Sequence, residues 1–113
     1  MGFSQGAMLA HALLLKARVP LAGIAAFSGR LVPELISDPV AARGNVAQGL
    51  PVLLSHGSHD ELIPISNGHA LRDFYQETPC NLTWVEEPIG HGIGPQGAEA
   101  LRSWSRAALD ENA

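Results

Sequence analysis

The sequence predicts an α/β fold, in which a short parallel sheet of about three strands is flanked by helices. Short apolar runs bounded by glycine, serine or proline, as buried strands often are, alternate along the chain with longer stretches of helical character. Strands that alternate with helices form parallel sheets with right-handed crossovers. The 113 residues fit one domain, which we expect to span residues 1–113.

Three segments have the character of strands. Leu21–Phe27 is a short apolar run closed by serine and glycine, and Pro51–Ser55 is a second one that is followed by a histidine and a glycine. Cys80–Val85 alternates and carries threonine, tryptophan and valine, which favour strands. Parallel strands are normally covered on both faces, so we expect helices on each side of this sheet.

The remaining segments predict the helices. Gln5–Ala17 is rich in alanine, leucine and methionine and is apolar nearly all round, so it predicts a buried helix. Ile65–Gln76 and Gln96–Leu109 predict amphipathic helices, the first with Ala70, Leu71 and Phe74 on one face. Leu31–Asn45 predicts a short helical turn and then a loop. Its regularity is interrupted by Pro33, Pro39 and Gly44.

Composition excludes several classes of function. The chain is 46% hydrophobic and 16% charged, which is typical of a globular protein rather than a disordered one. Its net charge is −4 and it has no basic patch, which argues against a nucleic-acid partner. No apolar run approaches the roughly 18 residues that span a bilayer. A single cysteine, Cys80, cannot form an internal disulfide, so the chain is suited to a reducing compartment or is indifferent to redox conditions, and we expect a cytoplasmic protein.

The strongest chemical motif is Gly-Phe-Ser-Gln-Gly at residues 2–6, a G-x-S-x-G pattern centred on Ser4. In a nucleophile elbow the serine lies on a sharp strand-to-helix turn, and the flanking glycines let the backbone pass closely. A strong helix prediction follows the motif, but no segment of strand character precedes Gly2. The structural alternative is a serine that caps a helix.

An acidic motif follows the strand Pro51–Ser55. Asp60 lies in the segment SHGSHDELIP, at the carboxyl end of that strand, where ligands bind in open α/β sheets. Glu61 competes for the role of the acid, as does Asp38 with weaker support. The structural alternative for Asp60 is a solvated loop acid or a helix cap.

A histidine motif, IGHGI, follows the strand Cys80–Val85 and is centred on His91. Glycines on both sides give the imidazole room and permit unusual backbone dihedrals. The alternative is a turn histidine exposed to solvent. His56 and His59 are further candidates for a base, but they precede the acid. The pair His56-x-x-His59 lacks companion ligands at metal spacing, so we expect no metal and no cofactor.

Ser4, Asp60 and His91 occur in the chain order serine, acid, histidine that α/β-hydrolases use. Asp60 and His91 each follow a predicted strand, and Ser4 would follow one in an elbow. Consecutive parallel strands bring such positions to one edge of the sheet. The three side chains are therefore expected to converge as a catalytic triad.

GFSQGA, HGSHDELIP and GHGI together resemble the phospholipase/carboxylesterase family, which includes acyl-protein thioesterases and small carboxylesterases. The resemblance covers nearly the whole chain. It implies Ser4 as nucleophile, Asp60 as acid and His91 as base, with the Gln5 backbone N–H as one oxyanion donor. It also implies that Leu31 and Ile63 line an acyl pocket. The absence of a long lid insertion favours short- to medium-chain carboxylic esters as substrates, and thioesters and lysophospholipids remain open.

Family members are about twice this length, so the resemblance implies a truncated α/β-hydrolase fold that corresponds to the C-terminal half. The first strands and the second oxyanion donor would then come from outside this sequence. An open sheet edge favours association, so we expect a homodimer or larger homo-oligomer that covers it. The alternative function is a non-catalytic α/β interaction module or an inactive remnant of the fold.

Overall fold

The computed structural model describes residues 2–3, 6, 23–30, 44 and 46–111, with side chains as far as residue 107. Within this part of the chain, four strands and two longer helices are arranged in α/β fashion. The strands are β1 (Gly2–Phe3), β2 (Ile24–Phe27), β3 (Pro51–Gly57) and β4 (Asn81–Glu87), and the helices are α1 (Ile65–Gln76) and α2 (Pro95–Glu111).

The described sheet is parallel throughout, with the strand order β1-β2-β3-β4. It has one strand more than the three expected, because the first residues of the serine motif themselves pair with β2. Gly2 lies opposite Ala26 and Phe3 lies opposite Phe27. A strand therefore does lead into Ser4, although it is too short to show a pattern in the sequence.

Strands β3 and β4 both run further than expected. The predicted strands ended at Ser55 and Val85, whereas β3 reaches Gly57 and β4 reaches Glu87. The two extensions pair with each other, since His56 lies opposite Glu86 and Gly57 lies opposite Glu87. This pairing continues the sheet up to the two polar loops that follow.

The core lies on both faces of the sheet, as parallel strands require. On one face, Ile24 and Ala26 of β2 and alternate residues of β3 pack against Leu71, Phe74 and Tyr75 of α1. On the other face, Ala25, Phe27 and Leu53 pack against α2 through partly buried side chains that include Trp104. Strand alternation thus divides the short apolar runs between two helices.

Helix α1 has the predicted bounds, but its buried residues are Gly68, Leu71, Phe74 and Tyr75, and Ala70 is exposed. Helix α2 begins one residue earlier than expected, at Pro95, because proline suits the first turn of a helix. None of the described helices is both long and apolar enough to cross a membrane.

Two predictions fall almost wholly outside the described residues: the helix Gln5–Ala17 and the segment Leu31–Asn45. In each, a single glycine is described. Gly6 is helical, and Gly44, which was expected to interrupt helical structure, is helical as well.

Candidate active site

Two loops lie side by side at the carboxyl edge of the sheet: the acid loop (residues 58–64) after β3 and the histidine loop (residues 88–94) after β4. Backbone hydrogen bonds join the acid loop to β4 and to the histidine loop. The Ser58 N–H donates to the Glu87 carbonyl at 2.7 Å, and the His59 N–H donates to the Ile89 carbonyl at 2.9 Å. Backbone hydrogen bonds therefore join the two loops at the edge where α/β sheets bind ligands.

Gly57, the last residue of β3, lies directly against the histidine loop. A Cβ atom at this position would overlap the carbonyl oxygens of both Ile89 and Gly90. These obstacles are backbone atoms, which cannot rotate away as a side chain could. The close packing of the two loops therefore requires glycine at position 57.

Asp60 and His91 meet between the loops. Nδ1 of His91 lies 2.7 Å from Oδ2 of Asp60, a distance typical of a charge-assisted hydrogen bond. The Asp60 side chain is fully buried, whereas that of His91 is 17% exposed. A carboxylate can only accept, so Nδ1 carries the proton and Nε2 of the neutral imidazole is left as a base.

The second carboxyl oxygen of Asp60 is bound within its own loop. Oδ1 accepts the backbone N–H groups of Leu62 at 2.9 Å and Ile63 at 2.8 Å. Burial by itself raises the pKa of Asp60. The hydrogen bonds from Ile63, His91 and Leu62, together with the charge of His91, outweigh burial, and the pKa falls below its ordinary value of 3.8. Asp60 is therefore a carboxylate at neutral pH.

His91 is also contacted from β1. Its ring centroid lies 4.9 Å from that of Phe3, with the two planes tilted by 51°. Phe3 is the residue just before Ser4, so the serine motif and the histidine loop are neighbours in space.

The expected role of the glycines beside His91 is not seen. Neither Gly90 nor Gly92 has a positive φ, and an added Cβ would meet none of the described residues closer than 4.0 Å at Gly90 or within 4 Å at Gly92.

Burial and distance distinguish Asp60 and His91 from the other candidate acids and bases that the structure describes. Glu61 is exposed and His59 is exposed, whereas Asp60 is buried beside His91. His56 is buried too, but its Nε2 lies 3.7 Å from Oδ2 of Asp60, beyond hydrogen-bond distance. Ile63 is partly buried, and its backbone N–H binds Asp60.

Four of the sequence candidates lie outside the described residues. They are Ser4, Gln5, Leu31 and Asp38.

Sequence reasoning missed Glu87, the last residue of β4. Its side chain is buried, and Oε1 and Oε2 accept the backbone N–H groups of Gln96 at 2.9 Å and Gly97 at 2.8 Å. A carboxylate is well placed at the positive N-terminal end of a helix. Glu87 thereby ties the two ends of the histidine loop together. No local capping pattern signals this contact, because Glu87 precedes the helix by a whole loop.

Ser28 is a second unpredicted feature of this edge. It follows β2 directly, has a φ of 56° and is fully buried. Its N–H donates to the Ser55 carbonyl at 2.9 Å, but its hydroxyl has no hydrogen-bond partner among the residues that the structure describes. A left-handed serine is strained, and such strain persists only where surrounding contacts enforce it.

Large apolar side chains are exposed beside the Asp60–His91 pair. Phe3 is 40% exposed, Leu62 is 71% exposed and Ile93 is 45% exposed. Leu62 is two residues from Asp60 and Ile93 is two residues from His91. Among the described residues, no group of three or more His, Cys, Asp or Glu side chains is placed to hold a metal ion.

A parallel α/β sheet with an aspartate–histidine pair in the loops after neighbouring strands is the arrangement of the α/β-hydrolase class. The phospholipase/carboxylesterase family model matches residues 1–108. The chain belongs to the phospholipase/carboxylesterase family.

Named relatives support this assignment. The chain is 32% identical to acyl-protein thioesterase 1 of Eremothecium gossypii, in a match that covers 96% of this chain and 46% of the relative. It is 34% identical to a probable carboxylesterase of Oryza sativa, over 96% of this chain and 40% of the relative. The chain thus spans about half the length of the curated relatives it matches, or slightly less.

Solved structures show the same relation. The crystal structure of Arabidopsis thaliana SOBER1 superposes with a TM-score of 0.72 at 29% identity, covering 96% of this chain and 51% of that one. The crystal structure of esterase PE8 superposes with a TM-score of 0.70 at 32% identity, covering 95% of this chain and 48% of that one. This chain matches the C-terminal half of the family fold.

Proposed function

We propose that this chain carries the catalytic triad of a serine hydrolase that cleaves short- to medium-chain carboxylic esters, with Ser4 as nucleophile, His91 as base and Asp60 as acid. The observation that carries the proposal is the 2.7 Å hydrogen bond between His91 and the buried Asp60 carboxylate. A buried carboxylate that orients a partly exposed imidazole is the base half of such a triad. The named relatives are carboxylesterases and acyl-protein thioesterases, which supports the same chemistry.

In the proposed mechanism, Ser4 Oγ attacks the ester carbonyl while Nε2 of His91 takes its proton. The ester oxygen then leaves with that proton, and an acyl-enzyme remains on Ser4. Water attacks the acyl-enzyme in the second half of the cycle, again with His91 as the base, and Ser4 recovers its proton when the acid departs. Throughout, Asp60 holds the Nδ1–H tautomer and stabilises the imidazolium that forms.

The oxyanion of the tetrahedral intermediate needs donors of its own. We assign one donor to the Gln5 backbone N–H, the residue after the nucleophile, as in other elbows of this type. The second donor in this fold comes from a loop after an early strand, which this sequence does not contain. Losing one donor typically costs about 10²–10³ in rate, so activity depends on where that donor originates.

The acyl group of the substrate is proposed to lie on apolar side chains near the triad. Phe3 precedes Ser4 in the sequence, and Leu62 and Ile93 are two residues from Asp60 and His91. All three side chains are exposed and offer such a surface. Ile63 and Leu31 were assigned to an acyl pocket by resemblance, and they remain part of the proposal. Thioesters and lysophospholipids are further substrates that the same mechanism would cleave.

A fluorophosphonate probe tests the nucleophile directly, because it labels an activated serine covalently. We expect the wild-type chain to be labelled and to hydrolyse p-nitrophenyl esters, whereas Ser4→Ala should do neither. Ser66→Ala, which removes an exposed serine on α1, is the matched control and should behave as the wild type. Absence of labelling in the wild type would support the non-catalytic module instead, and labelling of Ser4→Ala would refute the nucleophile assignment.

We also propose that the chain forms a homodimer or larger homo-oligomer in the cytoplasm. Strand β1 is an edge of the described sheet, and the relatives that this chain matches are about twice as long. A second copy on this edge would pair with its exposed backbone groups. Size-exclusion chromatography with light scattering tests this, and a stable monomer at micromolar concentration would contradict it.

A further inference from the structure

We infer that His56 is a positioning residue for the acid Asp60, acting through the carbonyl group of Ile63. This inference rests on the proposed function, since it assigns a supporting role within the same site. His56 is the residue before the last one of strand β3, which leads into the acid loop, and the sequence offered it as a candidate base. Because His56 is buried, we assign it a positioning role rather than that of a base.

The Nε2 atom of His56 lies 2.6 Å from the backbone oxygen of Ile63. A carbonyl oxygen has no proton to donate, so Nε2 must carry the hydrogen of this bond. His56 is 2% exposed, and its donor therefore has no competing water in easy reach. The tautomer of His56 is thus the reverse of that of His91, whose Nδ1 carries the proton.

Ile63 connects this bond to the acid. Its N–H donates to Oδ1 of Asp60 at 2.8 Å, while its carbonyl accepts from His56. Ile63 is therefore held by hydrogen bonds at both of its backbone groups: the N–H binds Asp60 and the carbonyl oxygen binds His56. His56 therefore determines where the N–H groups of the acid loop point, and these N–H groups orient the carboxylate that binds His91.

Helix α1 packs directly against the imidazole of His56. Gly68 packs against it so closely that a Cβ atom there would lie 2.7 Å from Nδ1 and 2.9 Å from Cγ of His56. Such distances are shorter than real Cβ contacts, so an alanine at position 68 must displace the ring. The helix, the imidazole and the acid loop form a continuous packed series that ends at Asp60.

Removal of the donor should loosen Ile63 and, through the N–H of Ile63, the carboxylate of Asp60. A displacement of about 1 Å in a catalytic group can cost on the order of 10² in rate. We expect His56→Leu to lower kcat by about 10- to 100-fold, because a displaced Asp60 orients the base His91 less well. His56→Gln keeps an amide N–H near the position of Nε2 and should recover most of the activity.

His69→Leu is the matched control, because His69 lies on α1, is half-exposed and pairs with Glu86 on the surface. Its kcat should equal that of the wild type. Gly68→Ala is an independent route, since it displaces the imidazole but leaves its donor intact, and it should also lower kcat. An active wild type whose His56→Leu or Gly68→Ala variant keeps full kcat would overturn the inference.

A spectroscopic readout separates this inference from the proposed function. The Nδ1–H proton of His91, in its short bond to Asp60, should resonate far downfield in the proton NMR spectrum and can be assigned by its loss in His91→Ala. We expect the signal to persist in His56→Gln and to broaden or vanish in His56→Leu. Because the signal does not require turnover, an inactive wild type would count against the proposed function alone. An unchanged signal in folded His56→Leu, or an equal loss in His56→Gln, would overturn the role of His56.

Discussion

The acid loop and the histidine loop are neighbours at the same sheet edge, yet they are held in different ways. The acid loop is held by two buried side chains: Asp60 of the loop and His56 of β3 both bind backbone groups of residues 62–63. The histidine loop is supported at its ends, by Glu87 and by bonds from Ser58 and His59. An acid that only orients can be rigid, whereas a base that moves a proton must reach substrate.

The largest effect that distinguishes the loops should come from Asp60→Asn. An asparagine keeps the shape but offers the wrong donor to His91, so kcat should fall by about 10⁴-fold. Steady-state hydrolysis of a p-nitrophenyl ester measures this. Glu61→Gln, at the exposed neighbouring acid, should retain wild-type kcat, and a similar loss in both variants would contradict the choice of Asp60.

A smaller effect should come from the glycine that lies between the loops. Gly57→Ala would drive a Cβ into the carbonyl oxygens of Ile89 and Gly90 and force the loops apart. We expect kcat to fall by about 10²-fold, as a displacement near 1 Å can produce, and the chain to be destabilised by about 1–3 kcal/mol.

Gly92→Ala is the control for this prediction, because it makes the same change in the histidine loop at a position where a Cβ meets no described residue within 4 Å. It should leave kcat and the urea unfolding midpoint close to those of the wild type. Equal damage from the two alanines would show that the loops do not differ in packing as described.

Glu87→Gln tests the support of the histidine loop at its ends. A glutamine has one acceptor oxygen in place of two, so one of the N–H groups of Gln96 and Gly97 loses its partner. We expect a loss of roughly 1.5–3 kcal/mol in the free energy of unfolding, measured by urea denaturation. Glu86→Gln removes an exposed carboxylate that pairs with His69 and should cost no more than about 1 kcal/mol. A loss in Glu86→Gln as large as that in Glu87→Gln would argue against the cap.

The smallest effect is a pH dependence that belongs to the acid loop. The pKa of Asp60 is lowered from 3.8 in the folded chain, so its ionisation stabilises the fold above pH 3.8. This contribution is lost as the pH falls below 3.8 through the lowered pKa. The difference in unfolding free energy between wild type and Asp60→Asn should therefore shrink over that range, and a constant difference would contradict the shift.

Much of this architecture could be predicted from the sequence. The predicted helix Ile65–Gln76 has the bounds of α1, and the apolar runs at β2, β3 and β4 are where the strands form. The meeting of Asp60 with His91 followed from their positions after neighbouring strands. These successes depend on local periodicity and on the geometry of parallel sheets, both of which leave a direct record in the order of residues.

What could not be predicted depends on contacts between distant residues. Strand β1 is two residues long, so only its pairing with Ala26 and Phe27 reveals it. His56 and Glu87 showed no sign of their roles, because each binds a backbone group that lies across a loop. Gly57 follows the predicted strand Pro51–Ser55, and only the structure shows the carbonyl oxygens that require a glycine there.

The division has a simple physical reason. Residue order alone was enough to establish the fold class, the family resemblance and the identity of the triad candidates, since hydrophobic periodicity and motif spacing are properties of the chain itself. Folding assigned Asp60 rather than Glu61 to His91, made His56 a buried donor and exposed Leu62 and Ile93 beside the site. Burial and hydrogen-bond direction are set by neighbours in space, which exist only once the strands have paired.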